Sequence, residues 1–86
     1  MSERVIYYAV TLNTGDRADP VGIARRRWLA GGGIEDEMLR HDLSWEQDTV
    51  ITEWKRGDAA EELLEISEDE AGALVERFRR KWEGTS

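Results

Sequence analysis

Ile66-Ser67-Glu68-Asp69-Glu70-Ala71-Gly72-Ala73-Leu74-Val75-Glu76-Arg77-Phe78-Arg79-Arg80-Lys81-Trp82 is the stretch whose reading decides how this chain folds. Ser67 stands where a helix N-cap belongs, and Glu70 three residues later completes a capping box. Ile66 and Ala71 are placed to form a hydrophobic staple across that cap. Glu68, Asp69 and Glu70 sit at the positive end of the helix dipole, and Arg77, Arg79, Arg80 and Lys81 at the negative end. Gly84 is positioned to stop the helix. Ala71, Leu74, Val75, Phe78 and Trp82 recur at three- and four-residue steps and draw one apolar stripe. The expectation is an amphipathic helix over about 68–83, roughly 24 Å long at 1.5 Å per residue. Such a helix needs an apolar surface to lie on, and the preceding chain must supply it.

The clearest candidate for that surface is Arg4–Leu12, Arg-Val-Ile-Tyr-Tyr-Ala-Val-Thr-Leu, rich in β-branched and aromatic residues. Ile6, Tyr8, Val10 and Leu12 alternate with Val5, Tyr7, Ala9 and Thr11. Both faces are apolar, which suits a central strand. Turn chemistry fills Asn13–Pro20. Val21–Leu29, Val-Gly-Ile-Ala-Arg-Arg-Arg-Trp-Leu, reads as a second strand in an antiparallel hairpin with the first, its register left open by the arginines. Gly31-Gly32-Gly33 ends it as a flexible turn. The glycines lack phosphate-loop spacing, and Glu35, Asp36 and Glu37 follow them.

Ile34–Leu43 carries helix-forming residues, yet a third antiparallel strand would widen an otherwise meagre sheet, and strand is the preferred reading. Ser44–Arg56 reads as a shorter helix over about 45–56, capped by Ser44, with Val50, Ile51 and Trp54 on one stripe and Gly57 as its stop. A strand over Thr49–Lys55 is the alternative. Asp58–Leu64 reads as a loop or helical turn. The predicted fold class is α+β: a single small domain over 1–86, with a two- or three-stranded antiparallel sheet packed by the C-terminal amphipathic helix.

Composition narrows function by exclusion. Among 86 residues there is no Cys, so the chain has no disulfide framework, thiol nucleophile or thiolate metal site. No apolar run approaches 18 residues, and the N-terminus lacks signal-peptide character, which predicts a cytoplasmic protein without membrane attachment. The net charge of −7 is unevenly spread: residues 34–70 hold fourteen acidic and three basic groups, while both flanking segments are mildly basic. An acidic middle repels nucleic acid and favours solubility. The carboxylates match no EF-hand spacing, so no metal is expected. His41, the single histidine, has no triad or cluster to join, and no enzyme activity or cofactor is expected.

Arg25-Arg26-Arg27 followed by Trp28 is the most unusual local composition. It could bind phosphate or carboxylate with an aromatic stacking surface. On a strand, however, neighbouring side chains point to opposite faces, so three consecutive arginines make no single patch. Pairing with the acidic middle and covering of aromatic rings is the favoured use. Four Trp in so small a chain are more than its core readily buries, and those left exposed mark an interface. The resulting expectation is a small, acidic, non-enzymatic protein-interaction module. Its partner is another protein or a second copy, and contact is expected at Arg25, Arg27, Trp28, Trp45 and Trp54. The alternative is a nucleic-acid accessory role using Arg25–Trp28 and Arg79–Lys81.

Overall fold

The first strand is apolar on both faces because helices cover both. A computed structural model describes residues 4–11, 20–58 and 61–83. In chain order the elements are β1 (Arg4–Thr11), β2 (Gly22–Trp28), β3 (Ile34–Leu39), β4 (Trp45–Gln47), α1 (Val50–Arg56), β5 (Glu62–Ile66) and α2 (Glu68–Glu83). The strands form one sheet in the order β4-β3-β2-β1-β5, with every neighbouring pair antiparallel. Strands β1 to β4 are a simple meander. The chain then crosses the sheet through α1, lays β5 along the far side of β1, and returns as α2 over the opposite face.

Each helix completes its own core. On the α1 face, Val50 and Ile51 pack with Tyr8, Val10, Ala24 and Leu63, bordered by Ile6, Met38 and Trp54. On the α2 face, Phe78 packs with Ile23 and Leu39, bordered by Tyr7, Leu43, Trp45, Leu74, Val75 and Trp82. Val10, Ile23 and Ile51 are wholly excluded from solvent. The two cores share no side chains and communicate only through the backbone of the sheet.

The α+β class and the C-terminal helix agree with expectation, and the capping box is formed. Ser67 N donates to Glu70 Oε1 at 3.0 Å, and Glu70 N donates to Ser67 Oγ at 3.1 Å. The lean to strand after the glycines holds over Ile34–Leu39, where pairing with β2 overrides helix propensity. Gly57 ends α1 in the left-handed conformation, φ 80°, as its place after Lys55 and Arg56 suggested. The turn expected over 13–20 lies outside the described residues except for Pro20, and so does the stop at Gly84.

Three expectations are corrected. The sheet has five strands, not two or three. The helix expected over 45–56 spans only Val50–Arg56, because Trp45–Gln47 pairs with Glu37–Leu39 as β4. Ser44 is therefore no helix cap; its N–H and hydroxyl both donate to Asp42 Oδ1 in the β3–β4 turn, and Asp48 Oδ1 accepts from Val50 N instead. In that same turn Leu43 takes a left-handed backbone, φ 68°, which places its side chain against the α2-face core. Finally, Glu62–Leu64 is strand rather than loop, since β1 needs a partner on its second side and Leu63 fills the α1-face core.

Two substitutions test this account. Ile51→Ala should cost about 2–5 kcal/mol, the loss of a fully buried aliphatic side chain. Ser67→Ala should cost about 1 kcal/mol through loss of the cap. Chemical denaturation of each variant measures both, and equal losses would contradict the ranking.

Candidate functional site

Arginine against carboxylate is the dominant chemistry of the sheet. In the β2–β3 register Arg25 faces Glu37, Arg26 faces Asp36 and Arg27 faces Glu35, so three consecutive cations meet three consecutive anions. Because strand side chains alternate, this ladder appears on both faces. On the α2 face Arg25 Nε donates to Glu37 Oε1 at 2.8 Å, and Arg27 Nη1 donates to the same oxygen at 3.4 Å. The Arg25 guanidinium also lies 4.0 Å from the centre of the Trp45 ring.

On the α1 face Arg26 forks onto Asp36, with Nε to Oδ1 at 2.7 Å and Nη2 to Oδ2 at 2.8 Å. Thr52 of α1 donates its hydroxyl to Asp36 Oδ2 at 3.2 Å, which ties the helix to the ladder. The Arg26 hydrogen bonds hold the Asp36 carboxyl below its ordinary value despite partial burial, and the same bonds raise Arg26. Burial, then the charge of Glu65, pushes the Tyr8 hydroxyl up.

The five expected contact residues are thus divided between two faces. Arg25, Arg27 and Trp45 lie on the α2 face. Trp28 and Trp54 lie on the α1 face, where Trp54 packs against Tyr8 with ring centres 5.9 Å apart. Trp28 stands opposite Ile34 at the open end of the hairpin, with the Arg4 guanidinium 5.2 Å from its ring. Ile34 is 53% exposed. His41 is exposed and meets Trp82 edge-on at 4.5 Å. Among the described residues no group of acidic or histidine side chains is arranged to hold a metal ion, and no helix is long and apolar enough to cross a membrane.

A different surface offers an unfilled shape. Strand β5 borders the sheet, and no described strand pairs with its outer side. Helix α2 lies over β1 and β2, so it leaves Leu64 and Ile66 of β5 half-buried rather than covered. Beside β5 runs a groove of about 340 Å³, floored by Ala9, Leu64 and Ile66 and walled by Glu70, Ala73, Leu74 and Arg77 of α2, with Pro20 at one end. It meets a second hollow of about 260 Å³ formed by Pro20, Arg77, Phe78, Arg80 and Lys81.

The charges of that hollow stand apart from the rest. Arg25, Arg26, Arg27, Arg40, Arg56 and Arg79 each have a carboxylate within 4.0 Å, and Arg4 and Lys55 lie over Trp rings. Among the described residues, Arg77, Arg80 and Lys81 have neither. They fall at i, i+3 and i+4 on one side of α2. Sequence reasoning did not select Leu64, Ile66, Ala73 or Arg77. The alternation Leu64-x-Ile66 was the available signal, split between a segment read as a loop or helical turn and the residue set before the Ser67 cap.

Asp36→Asn should destabilise the fold by about 1–3 kcal/mol near neutral pH. The folded Asp36 carboxyl titrates below the ordinary 3.8. Its charge therefore contributes fully above that value, and the contribution is lost as pH falls through the lower, folded one. The deficit of the variant should accordingly shrink under acid. Denaturation of both proteins from neutral down to about pH 2 checks this, and a pH-independent deficit would contradict a role for the charge. The chain matches no family model, no curated protein and no solved structure.

Proposed function

We propose that this protein is a non-enzymatic protein-interaction module that binds by strand addition at the β5 edge. The observation that carries this reading is a sheet edge with which no described strand pairs, lying directly beside a largely apolar groove walled by a helix. An extended segment laid along β5 would gain backbone hydrogen bonds from the edge, while its alternate side chains entered the groove over Leu64 and Ile66. The opposite edge is a poorer acceptor. Strand β4 has three residues, and Glu46 and Gln47 are exposed.

A nucleic-acid role is less well supported by the same chemistry. Arg25, Arg26 and Arg27 are engaged with Glu35, Asp36 and Glu37, and Arg79 lies close to Glu76 and Glu83. Among the described residues the cations with neither a carboxylate nor a Trp ring are Arg77, Arg80 and Lys81, too few to track a phosphate backbone against the repulsion of a chain of net charge −7. Trp28 and Ile34, at the hairpin end, offer a smaller apolar contact that could extend an interface.

A photoreactive residue installed at position 64, with a control at Gln47 on the opposite edge, tests the reading in the native host. Illumination should yield protein adducts at position 64 and few at 47. Adducts absent from position 64, or equal at the two positions, would overturn strand addition at β5.

A further inference from the structure

We infer that the segment added to β5 is an extended peptide of another protein, with apolar residues at alternate positions followed by acidic ones. The inference rests on the strand-addition reading and states the chemistry of what is added. The backbone sets the frame. Val10 O accepts from Val21 N, so Val10 turns its peptide groups toward β2 and away from β5. By alternation Leu63, which faces Val10, and Glu65 turn theirs to the outer edge, while Leu64 and Ile66 turn theirs back to β1. Every neighbouring pair in this sheet is antiparallel, and a segment added in the same sense finds its hydrogen-bonding partners at Leu63 and Glu65. Its side chains opposite Leu64 and Ile66 then lie on the α2 face, over the groove.

The charges set the order. Toward Ile66 the groove is lined by Glu70, whose Oε1 accepts from Ser67 N. Thr11 pairs with Glu62, and Val21 N bonds Val10 O, so Pro20 lies at the Glu62 end of β5. The hollow that Pro20 shares with Arg77, Arg80 and Lys81 lies there too. All three cations are exposed, and none has a carboxylate partner among the described residues. An anionic group is therefore repelled at one end of the groove and attracted at the other. An antiparallel segment runs from the Ile66 end to the Glu62 end, which places its acidic residues after its apolar ones. Glu62 falls on the α2 face by alternation and opposes a carboxylate directly across from it. The acidic residues accordingly begin past that position, where the segment leaves the strand for the hollow. A nucleic acid brings charge without apolar side chains to set over Leu64 and Ile66, and the net charge of −7 repels it.

Selection from a randomised peptide library displayed on phage, with the full chain as bait, tests this directly. Enriched sequences should carry apolar residues at two alternate positions followed, toward the C-terminus, by Asp or Glu. The best of them, synthesised with a fluorescent label, should bind the wild type and lose about tenfold in affinity when Arg80→Gln and Lys81→Gln are combined. The combination Arg80→Glu with Lys81→Glu should lose more, and should prefer a peptide in which Lys replaces the acidic residues. Circular dichroism checks folding, and the neutral pair carries the test if the reversed pair does not fold. Enriched peptides without acidic residues, or with them ahead of the apolar pair, would overturn the inferred chemistry. So would an affinity unchanged in both variants. Adducts to other proteins at position 64 would then leave strand addition standing, whereas no binder from the library and no adducts would remove both. Tighter binding of a single-stranded oligonucleotide than of the selected peptide would overturn a peptide as the ligand. A wild type that is dimeric in solution and forms adducts only to itself would overturn another protein as its source.

Discussion

The ladder between Arg25–Arg27 and Glu35–Glu37 is the constraint on which the rest of this fold depends. A strand that slips by one residue turns every side chain to the wrong face. Here such a slip would also break paired charges on both faces at once, since the ladder alternates between them. Hydrophobic patterning alone left the register of β2 open, because arginines occupy either face. Ion pairing removes that ambiguity: Ile23 falls on the α2 face and Ala24 on the α1 face, each into a dry core. The hairpin is specified by electrostatics, and the cores are filled as a result.

That division of labour suits a short chain without disulfides. Each helix covers one face, and each core has few fully buried members. The ladder lies between the cores and the hairpin end, and α1 reaches it through the Thr52 hydroxyl on Asp36. Its arginines are only partly exposed, and their alkyl stems and planar heads cover apolar neighbours, Arg25 over Trp45 above all. The ion pairs are more sheltered than ordinary surface pairs, so their geometry matters more to specificity than to gross stability.

How much of this was legible in the sequence depended on whether the information was local. Helix α2 was readable almost in full, since its cap, charge gradient and stripe all lie within seventeen residues. Strand β1 was readable for the same reason. The pairing of Arg25–Arg27 with the acidic middle could be anticipated from charge, but not its residue-by-residue register. Strands β4 and β5 were not legible. Trp45-Glu46-Gln47 and Glu62-Leu63-Leu64-Glu65-Ile66 have compositions compatible with helix, and what makes them strands is the pairing each finds, with β3 across a turn in the case of β4 and with the distant β1 in the case of β5. The groove inherited that obscurity, because it exists only once β5 is placed beside α2. The expected contact residues were chosen for unusual composition, whereas the surface proposed here is defined by what the topology leaves uncovered.

The crossover that carries the chain from β4 to β5 has a consequence during synthesis. Strands β1 to β4 are joined by local turns and can associate as soon as they leave the ribosome, but β1 then stands at the edge of the nascent sheet. It is apolar on both faces, and it stays unprotected on one side until β5, more than fifty residues later, arrives to pair with it. Non-local pairing of this kind is slow to form, and the interval exposes an edge prone to association. The Arg-carboxylate ladder, complete before β5 emerges, fixes β2 in register with β3, and β2 is the strand that covers the other flank of β1 through that interval.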